Sequence, residues 1–162
     1  MRQGKAKTAQ TYLVAQAWKS AERESLMLLS FRIDGVPAPT QYQQARNGVL
    51  YSKPKTKEWQ KIVGWAARAA LTGSVMIQVD HYTGPVSVIV TFHMPIAKSQ
   101  RKHYQPGQAH LQKPDVTNLW KGTEDGLKRI LFADDATVHC VTMNKIWSDR
   151  PGVELRINLE EL

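Results

Sequence analysis

Apolar residues between positions 59 and 71 fall at Trp59, Ile62, Val63, Ala66, Ala67, Ala70 and Leu71. These three- and four-residue steps predict a helix with one buried face, and Pro54 is placed to open it. Residues 86–94 (VSVIVTFHM) are β-branched throughout and apolar on both faces, the pattern of a central strand, and Pro95 stops it. On a helix over residues 116–131, Val116, Leu119, Trp120, Thr123, Leu127, Ile130 and Leu131 share an arc of roughly 120°. Shorter signals complete the pattern. SFRID (30–34) alternates as a strand, GVPAPTQ (35–41) must run extended, residues 136–147 read as a strand, and RPG turns into VELRINL (153–159), a last alternating strand. Residues 8–29 lack Gly and Pro and are rich in Ala, Gln, Glu and Leu, which predicts a helix.

Mixed strands and helices, with two sequential strands at the end, predict an α+β fold: a mixed β-sheet backed by two main helices, with an additional N-terminal helix. The expected organisation is a helical extension over residues 1–29 and a single domain over 30–162. A chain of 162 residues with 42% apolar content is long enough for one domain with a real core.

Charge narrows the function. Lys plus Arg number 22 against 14 acids, a net charge of +8. That excess suits a polyanion, nucleic acid before an anionic membrane surface. No apolar run approaches the roughly 20 residues of a membrane span. The short apolar stretch after residue 11 carries Gln16 and is followed by Lys19, Glu22, Arg23 and Glu24, which is not a secretion signal. The single cysteine, Cys140, excludes an intramolecular disulfide and a cysteine zinc cluster; in its apolar alternating stretch it reads as a small buried hydrophobe. A reducing cytosol is the expected location.

The positive charge is clustered. Residues 96–114 form a long polar loop with Lys98, Arg101, Lys102 and Lys113, two histidines, one tyrosine and no acid. Basic side chains around an aromatic suit a phosphate backbone and an unstacked base. Lys53, Lys55 and Lys57 stand at the opening turn of the first predicted helix, where they oppose its dipole and a phosphate contact would explain them.

Asp115, at the entrance of the second helix, reads by itself as an N-cap. Asn118, Lys121 and Asp125 share the exposed face behind it, with Arg129 further along. Asp134 and Asp135 follow, just before an apolar strand, where β propensity does not account for two acids. A helix over 116–128 is about 20 Å long, and seven extended residues span up to about 23 Å, so the chain is able to return and set Asp135 beside Asp115. Two carboxylates and a lysine are the equipment for Mg²⁺ and a phosphodiester. The lysine would offset charge on the phosphorus or handle the proton of the attacking water.

The segment KPDVTNLWKGTEDGLKRILFADDATV (113–138) resembles the core of the RusA family of Holliday-junction resolvases. That core runs D-x-D-N, a lysine four residues after the second acid, a helix, then D-D opening a strand. Asp115 matches the first acid, Asn118 the asparagine, Lys121 the catalytic lysine, Asp125 an acid usual within the helix, and Asp135 the third metal-binding acid. His93-Met94-Pro95 and the closing RPGVEL are also similar, and the resemblance spans roughly residues 28–160. It implies a Mg²⁺-dependent endodeoxyribonuclease of bacterial or phage origin, a homodimer acting on four-way DNA junctions by paired symmetric cuts, with no membrane and no small-molecule substrate. Asp115 and Asp135, with Asp134, would hold the metal, and Lys121 would stabilise the transition state. Asn118 would orient a carboxylate or the phosphate, and Lys98, Arg101, Lys102, Lys113, Lys128 and Arg129 would contact DNA backbone. The second acid of D-x-D-N is here Thr117, a poorer and uncharged ligand. Two alternatives therefore stand: a catalytically weak or silent junction-binding protein, and an interaction protein that works through its N-terminal helix.

Overall fold

A computed structural model describes residues 25–44, 50–72 and 82–160. The strands are β1 (Ser25–Asp34), β2 (Tyr42–Gln44), β3 (Leu50–Ser52), β4 (Val86–Pro95), β5 (Val138–Ser148) and β6 (Gly152–Glu160). The helices are α1 (Pro54–Leu71) and α2 (Val116–Leu127). The main sheet has the order β1-β6-β4-β5, with β4 parallel to β5 and antiparallel to β6, so it is mixed and β4 is central, as its sequence predicts. β2 and β3 pair separately as a short ribbon.

Both helices join one face of the sheet. Val86, Val88, Val90, Phe92 and Met94 of β4 and Val153, Leu155, Ile157 and Leu159 of β6 alternate into a single core with Leu29 and Ile33 of β1. Trp59, Val63 and Ala67 of α1 and Leu119, Trp120 and Leu127 of α2 close it from the other side. The α+β architecture is that expected. The predicted helix over residues 8–29 is different: residues 8–24 lie outside those described, and Ser25 already begins β1, so its last residues are strand. In β1 Leu29 and Ile33 are buried and Met27 and Phe31, in step with them, pack partly against the core, while Leu28, Ser30 and Asp34 are exposed, the two-residue period of a strand.

Three apolar assignments need correction. Ile62, expected on the buried face of α1, is exposed because α2 covers only the stripe through Trp59, Val63 and Ala67. Cys140 is exposed rather than buried, since β5 is an edge strand and Cys140 lies on the face opposite the helices. The second helix ends at Leu127, not beyond it: Arg129 takes a left-handed backbone (φ 63°), and its amide donates to the Phe132 carbonyl at 2.7 Å. Ile130 and Leu131 still reach the core, but from a turn.

The helices touch through glycines. A Cβ on Gly126 would stand 2.8 Å from Val63 Cβ and 2.9 Å from the Gln60 carbonyl oxygen. A Cβ on Gly122 would stand 2.8 Å from the Ala38 carbonyl oxygen, so the proline loop over residues 35–41 lies directly on α2. That loop is clamped from α1 as well: Thr56 Oγ1 donates to the Pro39 carbonyl (3.0 Å) and accepts from the Gln41 amide (3.2 Å). Among the described residues no helix is long and apolar enough to cross a membrane.

Gly126→Ala is expected to destabilise the fold. The intrinsic helical gain of alanine is about 1 kcal/mol, but overpacking against a backbone carbonyl and a Cβ, which cannot rotate aside, costs roughly 1–3 kcal/mol. A net loss of up to about 2 kcal/mol should lower the urea midpoint. A midpoint at or above wild type would show that α1 and α2 separate freely.

Candidate active site

α2 carries the central groups, and its packing explains which side chains stay available. Trp59 Nε1 donates to Thr123 Oγ1 (3.2 Å) in the buried seam between the helices. This fixes the rotation of α2 and turns Lys121 and Asp125 away from the core. Gln60 of α1 then reaches Asp125 at 3.4 Å.

Lys121 sits among three carboxylates. Its Nζ lies 2.8 Å from Asp135, 3.2 Å from Asp125 and 3.3 Å from Glu124. Asp135 bridges onward through its other oxygen to Lys128 Nζ at 2.9 Å, and Asp134 approaches the same ammonium at 3.4 Å. Asp134 also caps the short turn ahead of β5 by accepting from the Ala136 amide at 3.0 Å. The hydrogen bond to Asp135 raises the pKa of Lys121 well above its ordinary value, against the opposing effect of burial. The same contact, with Lys128, holds Asp135 far below the usual carboxylate range. Burial raises Glu124, with Lys121 pulling the other way. The surrounding carboxylates therefore favour the charged form of Lys121.

Asp115 is at the N-terminal boundary of α2, but its side chain makes no capping hydrogen bond. Both carboxylate oxygens instead receive Lys113 Nζ at 2.8 Å, which lowers the Asp115 pKa. Lys145, reaching across from β5, holds the approach to this point by donating to the Gln112 and Pro114 carbonyls, each at 2.6 Å. The groups acting on Asp115 are Lys113 and Lys145, whereas those acting on Asp135 are Lys121, Lys128 and Asp134. The return segment thus delivers Asp135 to Lys121, while Asp115 stands at the N-terminal boundary of the same helix, paired with Lys113. Among the described residues no group of three or more His, Cys, Asp or Glu is gathered to hold a metal.

The remaining candidates divide. Asn118 and Thr117 are exposed on the first turns of α2, and the Asn118 carbonyl accepts from the Thr40 amide at 2.9 Å. Lys98, Lys102, Lys113 and Arg129 are exposed, as a backbone-contacting set requires. Arg101 pairs with Asp149 at 3.2 Å, and Lys128 is committed to Asp134 and Asp135. The 96–114 loop is laid along the outer edge of β5: the Gly107 amide donates to the Trp147 carbonyl (2.8 Å), Trp147 to Gln108 (2.8 Å), and His110 to Lys145 (2.9 Å). Tyr104 and His110 pack on Trp147 with ring centroids 4.5 and 3.9 Å away. Two members of the site were not singled out from sequence. Glu124 had a signal, its three-residue spacing from Lys121 on the helix; Lys145 had none, since only the pairing of β4 with β5 brings it here.

With this geometry in place, comparison with known proteins is decisive. The family model described as Endodeoxyribonuclease RusA matches residues 34–158. The chain belongs to the RusA endodeoxyribonuclease family. It is also 30% identical over 121 residues to the uncharacterized protein YqaN of Bacillus subtilis (strain 168), an alignment covering 69% of this chain and 81% of that protein. RusA endodeoxyribonucleases resolve branched DNA junctions and depend in general on divalent metal.

The acid limb of stability tests the Lys121–Asp135 contact. Asp135 has a depressed folded-state pKa, so its contribution is complete above the ordinary aspartate pKa and is lost as pH falls through the depressed value. The stability difference between wild type and Asp135→Asn should be constant from about pH 7 to 5 and shrink below about pH 4, measured by urea unfolding. A difference that does not change with pH would show that the ion pair is absent in solution.

Proposed function

We propose that this RusA-family chain is a Mg²⁺-dependent resolvase that cuts four-way DNA junctions as a homodimer, leaving paired, ligatable 5′-phosphate nicks. The observation that carries the reading is the contact of Lys121 with Asp135, two residues separated in sequence by the rest of α2 and a turn, within a chain of this family.

The donor chemistry fits a hard divalent cation. Asp115, Asp134 and Asp135 offer only carboxylate oxygens, with side-chain exposures of 52, 57 and 30%. Mg²⁺ is content with one or two such ligands and keeps several waters. Asp115 from the start of α2 and Asp135 from the segment ahead of β5, with Asp134 next to Asp135, are the residues that would hold it. When bound, the ion would polarise the phosphodiester and lower the pKa of a coordinated water. Lys121 stabilises the negative charge that builds on the phosphoryl oxygens; its raised pKa favours this electrostatic role over proton abstraction. Asp125 and Glu124 hold the ammonium in position. Asn118 orients the phosphate or a carboxylate, and Lys98, Arg101, Lys102, Lys113, Lys128 and Arg129 provide the sequence-independent grip on backbone.

A second reading has its own support. Asp115 and Asp135 are each neutralised by lysines and not joined to one another, and Thr117 supplies no carboxylate. A junction-binding protein with weak or silent chemistry would show tight, salt-sensitive binding without cutting.

A labelled four-way junction, incubated with Mg²⁺ or with EDTA, separates the two. Metal-dependent symmetric nicks, reduced about 10²–10³-fold by Lys121→Ala, are expected of the nuclease. Binding without nicks would establish the silent form, and cutting that survives Lys121→Ala would place the site elsewhere. Thr117→Asp should reduce the Mg²⁺ concentration needed for half-maximal cutting; no change would mean that another group already serves that position.

A further inference from the structure

A cleft of about 970 Å³ opens beside Asp115. The proline loop and the first turns of α1 form one wall, and the end of β4 with the 96–114 loop forms the other. Lys55, Lys113, Asp115 and Asn118 stand on its rim, and Val36, Ile62 and Pro95 give it apolar sides. Polar atoms without partners lie just beneath its surface. Thr40 Oγ1, His110 Nδ1 and Trp147 Nε1 are all buried without a hydrogen-bond partner, and all three residues line this cleft. His110 is 6% exposed and Trp147 2% exposed. Buried polar atoms without partners are rare, and three around one cleft point to an incoming ligand.

The ligand's chemistry follows from theirs. The indole nitrogen is only a donor, the hydroxyl donates or accepts, and the imidazole does either according to its tautomer. Burial and the neighbouring Lys145 lower the His110 pKa, against backbone hydrogen bonds at His110 and Gln112 that raise it, so the neutral ring is favoured. A flat group with donors and acceptors along one edge and an apolar body would satisfy all three. The position on the rim, next to Asp115 and two lysines, ties that group to a phosphodiester. We propose that the cleft receives one nucleobase drawn out of the stack next to the cut phosphate, and that Thr40, His110 and Trp147 read its edge. This rests on the reading that DNA is cut beside Asp115. A cleft of this size falls at the upper end of the usual range, roughly 300–1,000 Å³, and has room for a whole nucleotide. Branch points suit such extraction because stacking is already interrupted there.

The test uses four-way junctions with 2-aminopurine in place of one base at successive positions around the crossover. Binding is measured in EDTA and cutting in parallel with Mg²⁺. The wild-type chain should raise the emission several-fold at one position, as an unstacked base does. Junctions that differ only in the natural base at that position should then differ in Kd, and Thr40→Val and Trp147→Phe should each remove about tenfold of that discrimination. The readout is a ratio of Kd values, so a general loss of affinity cancels. Thr40→Val preserves side-chain shape on a half-buried loop and carries the test if Trp147→Phe fails to fold. Cutting without an emission change at any position, or variants that keep wild-type discrimination, would overturn the proposal and leave the nuclease standing. An emission rise in EDTA with no cutting in Mg²⁺ would remove the nuclease and keep the pocket. No junction binding at all would overturn both.

Discussion

Parallel strands cannot be joined by a tight turn, and β4 and β5 are parallel neighbours. The chain leaving β4 must travel back along the sheet before β5 can begin. Most of the candidate site lies on that return path: the basic loop, Asp115, α2 with Lys121, and the Asp134-Asp135 pair that precedes β5. Because the path has to start at one end of the strand pair and finish at the other, Asp115 and Asp135 enter and leave α2 at opposite ends. Lys121, midway along it, is the group that Asp135 reaches.

That geometry works only because α2 is pressed close to its neighbours. Gly126 meets Val63 and the Gln60 carbonyl, and Gly122 meets the proline loop, at distances that no side chain permits. The approach lets Gln60 support Asp125 and sets the proline loop as a wall of the cleft beside Asp115. The acids then set the behaviour of the lysine. Three carboxylates around one ammonium keep Lys121 charged, and Lys128 offsets part of their repulsion through Asp135. Ion pairs at partly exposed positions add little to stability, so this cluster is better understood as holding charges in place than as holding the fold together.

The long polar loop acquires its structure from β5. An edge strand exposes unpaired amides and carbonyls, and the loop satisfies those of Lys145 and Trp147 while packing Tyr104 and His110 on the Trp147 ring. Lys98 and Lys102 remain at the surface, where they are able to meet a polyanion, while Lys113 pairs with Asp115 and the far end of the loop is fixed by Lys145. An ordered edge-strand partner thus replaces the floppy basic tail that composition alone would allow.

Local pattern was enough for α1, β4, β6 and the body of α2, but not for residues 25–29, which read as helix and are strand, nor for the β2–β3 ribbon. The three- and four-residue spacing through Trp59, Val63 and Ala67, the β-branched run of β4, and the order of Asp115, Asn118, Lys121 and Asp135 are properties of neighbouring residues, and they fixed the α+β class and the family. Capping propensity misled at Asp115, whose carboxylate turns to Lys113 instead of the helix amides, because a competing ammonium only two residues away offers the stronger partner. Exposure of Ile62 and Cys140, the burial of Trp147, the arrival of Lys145 near Asp115 and that of Thr40 at the cleft depended on which strand lies at an edge and which loop crosses which helix. Those are contacts between residues distant in the chain, and sequence spacing carries no information about them; only the packing of the sheet against α1 and α2 decided them.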